Sequence, residues 1–305
     1  MKNITTSRYM KGIMWAMLAS TLWGISGTVM QFVSQNQAIP ADWFLSVRTL
    51  SAGVILLAIG FFQQGTKIFN VFKSWASVGQ LVAYATVGLM ANMYTFYISI
   101  ERGTAAAATI LQYLSPLFIV LGTLVFKREL PMRTDLVAFG ISLLGVFLAI
   151  TKGNIHELAI PMDALVWGIL SGVTAALYVV LPRHIVAENS PVVVLGWGTL
   201  IAGILFNLYH PVWVGAPKIT PTLVISIGAI VLIGTIFAFG SLLHSLQYAP
   251  SAVVSIVDAV QPVVTFILSI IFLGLTVSWV EILGSVLVII AIYVLQRFRS
   301  DPESV

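Results

Sequence analysis

The chain of 305 residues contains no cysteine and very little charge. The absence of cysteine excludes disulfides, thiolate nucleophiles, Fe–S clusters and zinc sites with thiolate ligands. Charged residues make up only 9% of the sequence, whereas a soluble domain carries about 25%. Because so few charges cannot cover the surface of a soluble domain, the composition excludes that class. The net charge of +4 comes from basic residues scattered singly, so it does not indicate a nucleic-acid partner.

Hydrophobic residues, by contrast, are abundant and occur in long blocks. They account for 59% of the sequence, and the mean hydropathy is +1.01. A helix needs about 20 apolar residues to cross the roughly 30 Å of hydrocarbon in a bilayer. The blocks therefore predict an all-α membrane protein with ten transmembrane helices, at residues 10–32, 42–63, 75–99, 104–126, 135–151, 163–182, 192–210, 222–247, 251–273 and 278–297.

Lysine and arginine in the short loops predict the side of the membrane on which each loop lies. Eleven of the fifteen basic residues fall on one side and three on the other, while Arg48 lies inside the second helix. The basic side is expected to be cytoplasmic, which predicts a multi-pass protein of the plasma or inner membrane with both termini in the cytoplasm. The eleven are Lys2, Arg8, Lys11, Lys67, Lys73, Lys127, Arg128, Arg133, Arg183, Arg297 and Arg299, and the three are Arg102, Lys152 and Lys218.

Short motifs recur between the two halves of the sequence. Residues 49–53 read TLSAG and residues 199–203 read TLIAG, and Pro116 and Pro262 match in the same order. Five helices in each half is an odd number, so the second half is expected to cross the membrane in the opposite sense. Inverted repeats of this kind place a substrate site near the midplane, between the halves. The predicted halves are residues 10–151 and 162–298.

A set of motifs also occurs in a characteristic order along the chain. They are Leu22-Trp23-Gly24, Arg48, the turn Ser99-Ile100-Glu101-Arg102-Gly103 before an alanine-rich helix, Gln112 to Pro116, Lys127-Arg128-Glu129, Ser245-Leu246-Gln247-Tyr248-Ala249 and Gln261-Pro262. In this order they resemble the drug/metabolite transporter superfamily, specifically its EamA-type members, over about residues 10 to 298. The resemblance implies a ten-helix carrier without ATP hydrolysis that moves small metabolites such as amino acids, often outward.

Asp258 is the ionisable residue predicted to lie deepest in the membrane. It falls within the ninth predicted helix, on a polar face that it shares with Ser255 and Thr265. A charged side chain at this depth is costly, so it is expected to face the interior of the bundle. One hypothesis is that Asp258 binds a proton or a cation during transport; the alternative is a carboxyl group that only holds neighbouring helices together.

Two glutamines are further candidates for the substrate cavity. Gln112 takes the position of Asp258 in the first half, and Gln261 immediately precedes Pro262. Pro116 and Pro262 each free a backbone carbonyl one turn earlier, which gives a kink or an acceptor site. Simple bending of the helix is the alternative.

Arg48 is predicted to lie about two turns into the second helix, near the outer side. It could hold a substrate carboxylate, or close an outer gate by pairing with Glu101 or Glu281. The alternative is that its side chain extends to the outer headgroups.

Four aromatic residues could line the cavity, where their rings could stack on an aromatic substrate or hold a cation. For each of them ordinary packing is the alternative. They are Trp23, Tyr94, Tyr97 and Tyr178.

We therefore expect a secondary exporter that works by alternating access around a cavity lined mainly by helices 1, 3, 4, 6, 8 and 9. An importer or facilitator of a small polar or cationic solute is the alternative within transport, and a non-transporting scaffold or sensor is the alternative of another class. The sequence has no Walker A or HExxH motif, so we expect no enzyme, cofactor or metal. The expected partners are a small-molecule substrate and the lipid bilayer, while proton coupling and a homodimer stay open.

Overall fold

The computed structural model describes residues 2–128, 130, 132–152, 154, 158–245, 247–249, 254, 257 and 260–298. Every regular element among them is helical. We number the main helices in chain order. They are α1 Lys2–Gln31, α2 Ala41–Gln64, α3 Trp75–Arg102, α4 Ala105–Gln112 followed by Ser115–Gly122, α5 Arg133–Thr151, α6 Met162–Val180, α7 Pro191–Tyr209, α8 Pro221–Val231 continued by Leu232–Phe237 and Ala238–Ser245, α9 Val260–Leu273 and α10 Trp279–Phe298.

Helices α1 to α4 and α6 to α8 are each long and apolar enough to cross a bilayer. The predicted multi-pass arrangement follows from these seven helices. Three shorter apolar helices, Leu136–Thr151, Val260–Leu273 and Trp279–Ala291, coincide with three further predicted spans. The predicted ninth span starts at residue 251, which lies outside the described residues.

Polar side chains define where several of the helices begin. The hydroxyl groups of Ser74, Thr104 and Thr220 accept hydrogen bonds from backbone N–H groups in the first turns of α3, α4 and α8. Such capping satisfies donors that have no partner within the helix. These caps fix the turns between apolar segments, so each helix starts close to its predicted position.

Three helices depart from regular α-geometry inside the bundle. Helix α3 contains a π-helical segment at Tyr84–Met90, and α8 contains one at Leu232–Phe237. Helix α4 is interrupted at Tyr113 and Leu114, because Pro116 has no N–H to donate to the carbonyl of Gln112. Irregular turns of this kind within membrane helices are frequent at functional sites.

Helices α2 and α7 pack closely and antiparallel through their recurring motifs. A Cβ atom added to Gly53 would lie 2.6 Å from the backbone nitrogen of Leu200, and one added to Gly203 would lie 2.7 Å from that of Leu50. Only glycine permits this approach, as is usual for tightly packed membrane helices. The contact is reciprocal, since Leu50 and Leu200 hold matching positions in the two motifs.

Helices α5 and α10 make a similar antiparallel contact. A Cβ atom on Gly145 would lie 2.7 Å from the carbonyl oxygen of Gly284, and one on Gly284 would meet the backbone of Ala149 at 2.5 Å. At the end of this pair the Nζ of Lys152 lies 3.5 Å from a carboxylate oxygen of Glu281. Each half of the chain thus contributes one helix to each of the two close pairs.

The bundle has two ends, which we call the Gln35 end and the Lys67 end. The Gln35 end carries the α1–α2, α3–α4, α5–α6 and α7–α8 connections, and contacts such as that of Gln35 with Gly103 and of Trp43 with Val212 bring these together. The Lys67 end carries the α2–α3 and α6–α7 connections and the last turn of α8. The loops predicted to face the cytoplasm are those of the Lys67 end.

Candidate functional site

A cavity of about 510 Å³ lies near the Lys67 end, between α1, α2, α7 and α8. Its walls are largely apolar, and its polar groups come from Gln63, Ser241 and His244. Trp15 also lines it and lies edge-on to His244, with the ring centroids 4.7 Å apart. The cavity therefore suits a solute with an apolar body and few polar groups.

The lining of this cavity overlaps only in part with that of the predicted substrate cavity. Helices α1 and α8 belong to the predicted set and line it together with α2 and α7, while a midplane cavity lined by helices 1, 3, 4, 6, 8 and 9 stays a prediction. The close packing of α2 and α7 explains why both helices line it together. Sequence patterns do not reveal which apolar faces separate at one end of a bundle.

Four aromatic side chains form two ring pairs, and we call them the aromatic layer: Trp23 with Phe239, and Tyr84 with Tyr178. The ring of Phe239, which lines the cavity, is edge-on to Trp23 with a centroid distance of 5.1 Å. Tyr178 stacks on Tyr84 at 5.7 Å, and both belong to the same apolar cluster as Phe239. Of the predicted cavity residues, Trp23 thus adjoins the cavity through Phe239, whereas Tyr178 shares only the apolar cluster to which Phe239 belongs.

Deeper in the bundle, a set of polar side chains joins α3, α4 and α6. The Gln112 amide donates to the Ser171 hydroxyl at 3.1 Å and to the Asn92 side-chain oxygen at 3.4 Å. Asn92 in turn donates to the Ser171 carbonyl at 3.1 Å and to the Thr174 hydroxyl at 3.3 Å. We call these four residues, together with Thr95, whose hydroxyl lies 3.1 Å from that of Thr174, the amide cluster.

The interruption of α4 positions the amide cluster. Gly172 of α6 allows α4 to approach so closely that an added Cβ atom would lie 2.9 Å from the Leu111 carbonyl oxygen. At the interruption Gln112 faces α3 and α6, while the hydroxyl of Tyr113 donates to the side chain of Gln261 at 3.5 Å. The structure thus connects both predicted glutamines to the same break in α4.

One face of α6 carries residues of both the amide cluster and the aromatic layer. Ser171, Thr174 and Tyr178 are three and four residues apart, so they lie on the same side of the helix. Ser171 and Thr174 belong to the amide cluster, and Tyr178 belongs to the aromatic layer.

At the opposite end, Gln31 at the end of α1 and Gln35 in the π-helical segment Phe32–Asn36 that follows it close the bundle. The Gln35 amide donates to the carbonyls of Ile100 and Gly103 at 2.9 and 2.7 Å. The Gln31 side-chain oxygen accepts from the backbone N–H of Ala105 at 2.8 Å, and its amide donates to Gln35 at 3.0 Å. We call Gln31 and Gln35 the glutamine clasp, because together they tie α1 to the turn between α3 and α4.

Arg48 lies near the Gln35 end, and the described residues provide little compensation for its charge. Its Nη1 donates to the Met30 sulfur at 3.3 Å, and its Nε is buried without a hydrogen-bond partner. Neither acid predicted as its gate partner forms an ion pair with it. Glu281 pairs with Lys152, and Glu101 contributes only a backbone carbonyl to the contacts of Gln35.

Glu281 has a structural task at the start of α10. Its carboxylate accepts from the backbone N–H of Ser278 at 2.7 Å, and the Ser278 hydroxyl accepts from the N–H of Glu281 at 3.2 Å. This reciprocal pair is a capping box. With Lys152 also bound to it, Glu281 is committed to the α5–α10 pair in this structure.

The remaining candidates lie apart from the cavity or outside the described residues. Tyr97 is fully buried, stacks on Phe44 at 4.6 Å and donates to the carbonyl of Ile39 at 3.1 Å. Tyr94 lies edge-on to Trp167, with ring centroids 5.7 Å apart. Asp258 lies outside the described residues.

Sequence reasoning overlooked most of the residues that surround Gln112 and close the Gln35 end. A signal existed for Asn92, because an amide within an apolar helix needs a hydrogen-bond partner. Serine and threonine at Ser171 and Thr174 carried no such signal, since their hydroxyl groups are satisfied by their own helix in many proteins. The clasp was also missed, because the carbonyls that Gln35 reaches are more than 60 residues away in sequence.

Comparison with known proteins agrees with this architecture. The family model described as "EamA-like transporter family" matches the chain twice, at residues 10–151 and 162–297. A crystal structure with 16% sequence identity superposes with a TM-score of 0.61 over 97% of this chain and 99% of its own, which shows a shared fold.

Two curated relatives cover nearly the whole chain. An uncharacterized inner membrane transporter of Salmonella typhimurium, YicL, is 31% identical over 92% of this chain and 93% of its own. An uncharacterized transporter of Archaeoglobus fulgidus is 23% identical over 93% of this chain and 99% of its own. The resemblance inferred from the motifs is thereby confirmed, and the chain belongs to the EamA-like transporter family, whose members are multi-pass membrane transport proteins.

Proposed function

We propose that this protein is a secondary carrier that exports small metabolites, such as amino acids, by alternating access. It works without ATP hydrolysis as a bundle of ten transmembrane helices in two inverted repeats. The single observation that carries the proposal is the contrast between the two ends of the bundle: a cavity near the Lys67 end and a closed Gln35 end.

The antiparallel pairs support the inverted repeats. In a pair of repeats related by an axis in the membrane plane, equivalent helices run in opposite directions. The contacts of Gly53 with Leu200 and of Gly203 with Leu50 have this reciprocity. The π-helical segments of α3 and α8 also fall at matching places in the two halves.

The proposed export direction takes the cavity as the place where the solute is loaded. The Lys67 end has the larger number of basic residues and is proposed to face the cytoplasm. A relative that is named an inner membrane transporter supports the same location for this chain. In this state the cavity would load from the cytoplasm, and export requires the glutamine clasp to open afterwards.

The route across the membrane is proposed to follow α6 past the amide cluster. Its hydroxyl and amide groups would replace the water that a polar solute leaves behind. The break in α4 and the π-helical segments supply backbone that can change conformation without unfolding the helices. Coupling to protons is proposed to reside in Asp258.

Two single-cysteine variants test the proposal, since the chain has no cysteine of its own. Ser241 lines the cavity and Ser34 adjoins the clasp, and both are 5% exposed, which makes Ser241→Cys and Ser34→Cys a matched pair. We expect a membrane-impermeant thiol reagent to modify Cys at 241 from the cytoplasmic side and to leave Cys at 34 protected from outside. Adding a transported solute should expose position 34 and protect position 241.

The same proteins are then reconstituted and screened for flux of amino acids, amines and sugars. Saturable, stereoselective flux is expected of a carrier, and a scaffold or sensor would give none. Modification of both cysteines from one side, whatever solute is present, would contradict alternating access. If net flux occurs only into right-side-out vesicles, the protein is an importer and the proposed export direction is wrong.

A further inference from the structure

Arg48 is a half-buried cation without an anion in the described part of the chain. It lies about two turns into α2, and its only hydrogen-bond acceptor among the described residues is the sulfur of Met30, at 3.3 Å. No described carboxylate lies within 4.0 Å of its guanidinium group, and its Nε is buried and unpaired. A thioether is a weak acceptor, so the described residues leave the positive charge largely uncompensated.

The nearby basic residues differ from Arg48 in this respect. Arg102 pairs with Asp163 and Lys152 pairs with Glu281, each at 3.5 Å. Two of the acids at this end are therefore already engaged. Burying an unpaired charge is costly, and a carrier tolerates that cost where a ligand supplies the missing charge in another state.

The surroundings of Arg48 restrict what the ligand can be. Met30, Phe44 and Tyr97 belong to one apolar cluster, with Met90 and Met93 packed against it. Methionine side chains adapt easily to a new shape, so a ligand can displace them at little cost. The other described basic side chains lie at helix ends or in loops, so this region offers a single positive charge.

We propose that Arg48 binds the carboxylate of an organic monoanion whose apolar body replaces Met30 and its neighbours. The proposal rests on the carrier function proposed above and names its substrate class. Two parallel N–H donors of a guanidinium match the two oxygens of a carboxylate. A dicarboxylate or a phosphate ester would bring a second negative charge for which the site has no partner.

Binding at Arg48 would also act on the closed end of the bundle. Met30 immediately precedes Gln31 of the glutamine clasp, and both belong to α1. An anion that takes the place of the Met30 sulfur on Arg48 releases α1 from α2 next to the clasp. The site is thus placed to couple occupancy to opening at the Gln35 end.

The test measures thermal unfolding of the purified full chain in detergent with benzoate as the probe. Neutral benzamide, of nearly the same shape, and doubly charged isophthalate serve as comparison ligands. A ligand that binds only the folded state raises the unfolding temperature with concentration. We expect such a shift with benzoate, a much smaller one with isophthalate and none with benzamide.

Variants at Arg48 assign the shift to this residue. Arg48→Gln should weaken benzoate binding about 10- to 100-fold, and Arg48→Lys should bind with intermediate strength because it keeps the charge without the planar fork. Arg102→Gln, at the same end but exposed and paired with Asp163, is the matched control and should bind benzoate like the wild type.

The ligand-free proteins separate binding from a structural role. Removing an uncompensated charge should leave the unfolding temperature of Arg48→Gln equal to or above that of the wild type. A clearly lower value would assign Arg48 to the fold and overturn the proposal. Equal shifts with benzoate and benzamide, or a full benzoate shift in Arg48→Gln, would overturn it as well.

Flux measurements distinguish a failure of this site from a failure of the carrier proposal. If neutral or cationic solutes are transported and benzoate does not inhibit their flux, the monoanion site is refuted and the carrier proposal stands. If benzoate raises the unfolding temperature in a way that depends on Arg48, but no solute is transported, the site stands and the carrier proposal is refuted.

Discussion

Ionisable residues in or near the apolar helices differ in whether another side chain compensates their charge. Lys152 and Glu281 compensate one another at the end of the α5–α10 pair. Arg48 has only a thioether acceptor in the described structure. The sequence identified all three as charged residues in or near a helix, but only the fold distinguishes a structural pair from a cation that lacks a partner.

Asp258 carries the proposed coupling to protons. Asp258→Asn keeps the shape and a hydrogen-bonding side chain but cannot gain or lose a proton. If transport requires that proton, we expect the variant to fold normally and lose the dependence of flux on external pH. Flux measured against external pH in proteoliposomes decides this: superimposable curves for the variant and the wild type would refute the proton site.

At the scale of the helices, glycine determines which pairs can pack closely. Gly53 and Gly203 place α2 against α7, and Gly145 and Gly284 place α5 against α10. Gly228 of α8, in contrast, has no heavy atom within 4 Å of where a Cβ would lie. The sequence pattern does not separate these cases, because all five are glycines within apolar helices.

Substitution by alanine tests this difference between glycines. Gly53→Ala forces the backbone of α2 away from α7 and should destabilise the protein by about 1–3 kcal/mol, as overpacking does. Gly228→Ala is the matched control, and there the better helix propensity of alanine should leave stability unchanged or slightly higher. Unfolding temperatures of the two variants, measured in one detergent, give the comparison, and equal values would refute the close α2–α7 contact.

At the scale of the whole molecule, long-range side-chain hydrogen bonds occur at both ends of the bundle, including that of Trp197 with Ile68 at the Lys67 end. The described contacts at the Gln35 end include long-range side-chain hydrogen bonds such as those of Gln35 and Trp43. Near the Lys67 end α2 and α8 enclose a largely apolar cavity. Under the proposed alternating access, opening of the Gln35 end would break hydrogen bonds such as those of Gln35, while closing of the Lys67 end would bring the apolar walls of the cavity together.

Gln35→Leu should shift the equilibrium between the closed and open states of the Gln35 end towards the open state. Loss of the clasp removes about 1–2 kcal/mol of net hydrogen bonding, so modification of Cys at position 34 from outside should become roughly tenfold faster. Gln37→Leu is the matched control, because Gln37 lies on the same segment and its side-chain oxygen is buried without a hydrogen-bond partner. An equal increase in both variants would show that the clasp does not hold the end closed.

The sequence by itself determined the class of the protein and its order of helices. Apolar blocks, caps such as Thr104 and breakers such as Pro116 act on neighbouring residues, so their effects can be read along the chain. The motifs were sufficient to identify the family, which the family match at residues 10–151 and 162–297 confirms. The ten-helix count, the inverted repeats and the orientation remain predictions from the same patterns.

The tertiary structure alone decided where the cavity lies and what closes the opposite end. Gln112 meets Asn92 and Ser171 across 20 and 59 residues of sequence, and Gln35 reaches Gly103 across 68. Such partners depend on which helices pack side by side, and many apolar faces are equally suited to pack in a bilayer. Hydropathy therefore determines whether a helix lies in the membrane, whereas glycine contacts and hydrogen-bonded polar groups determine which other helices it packs against.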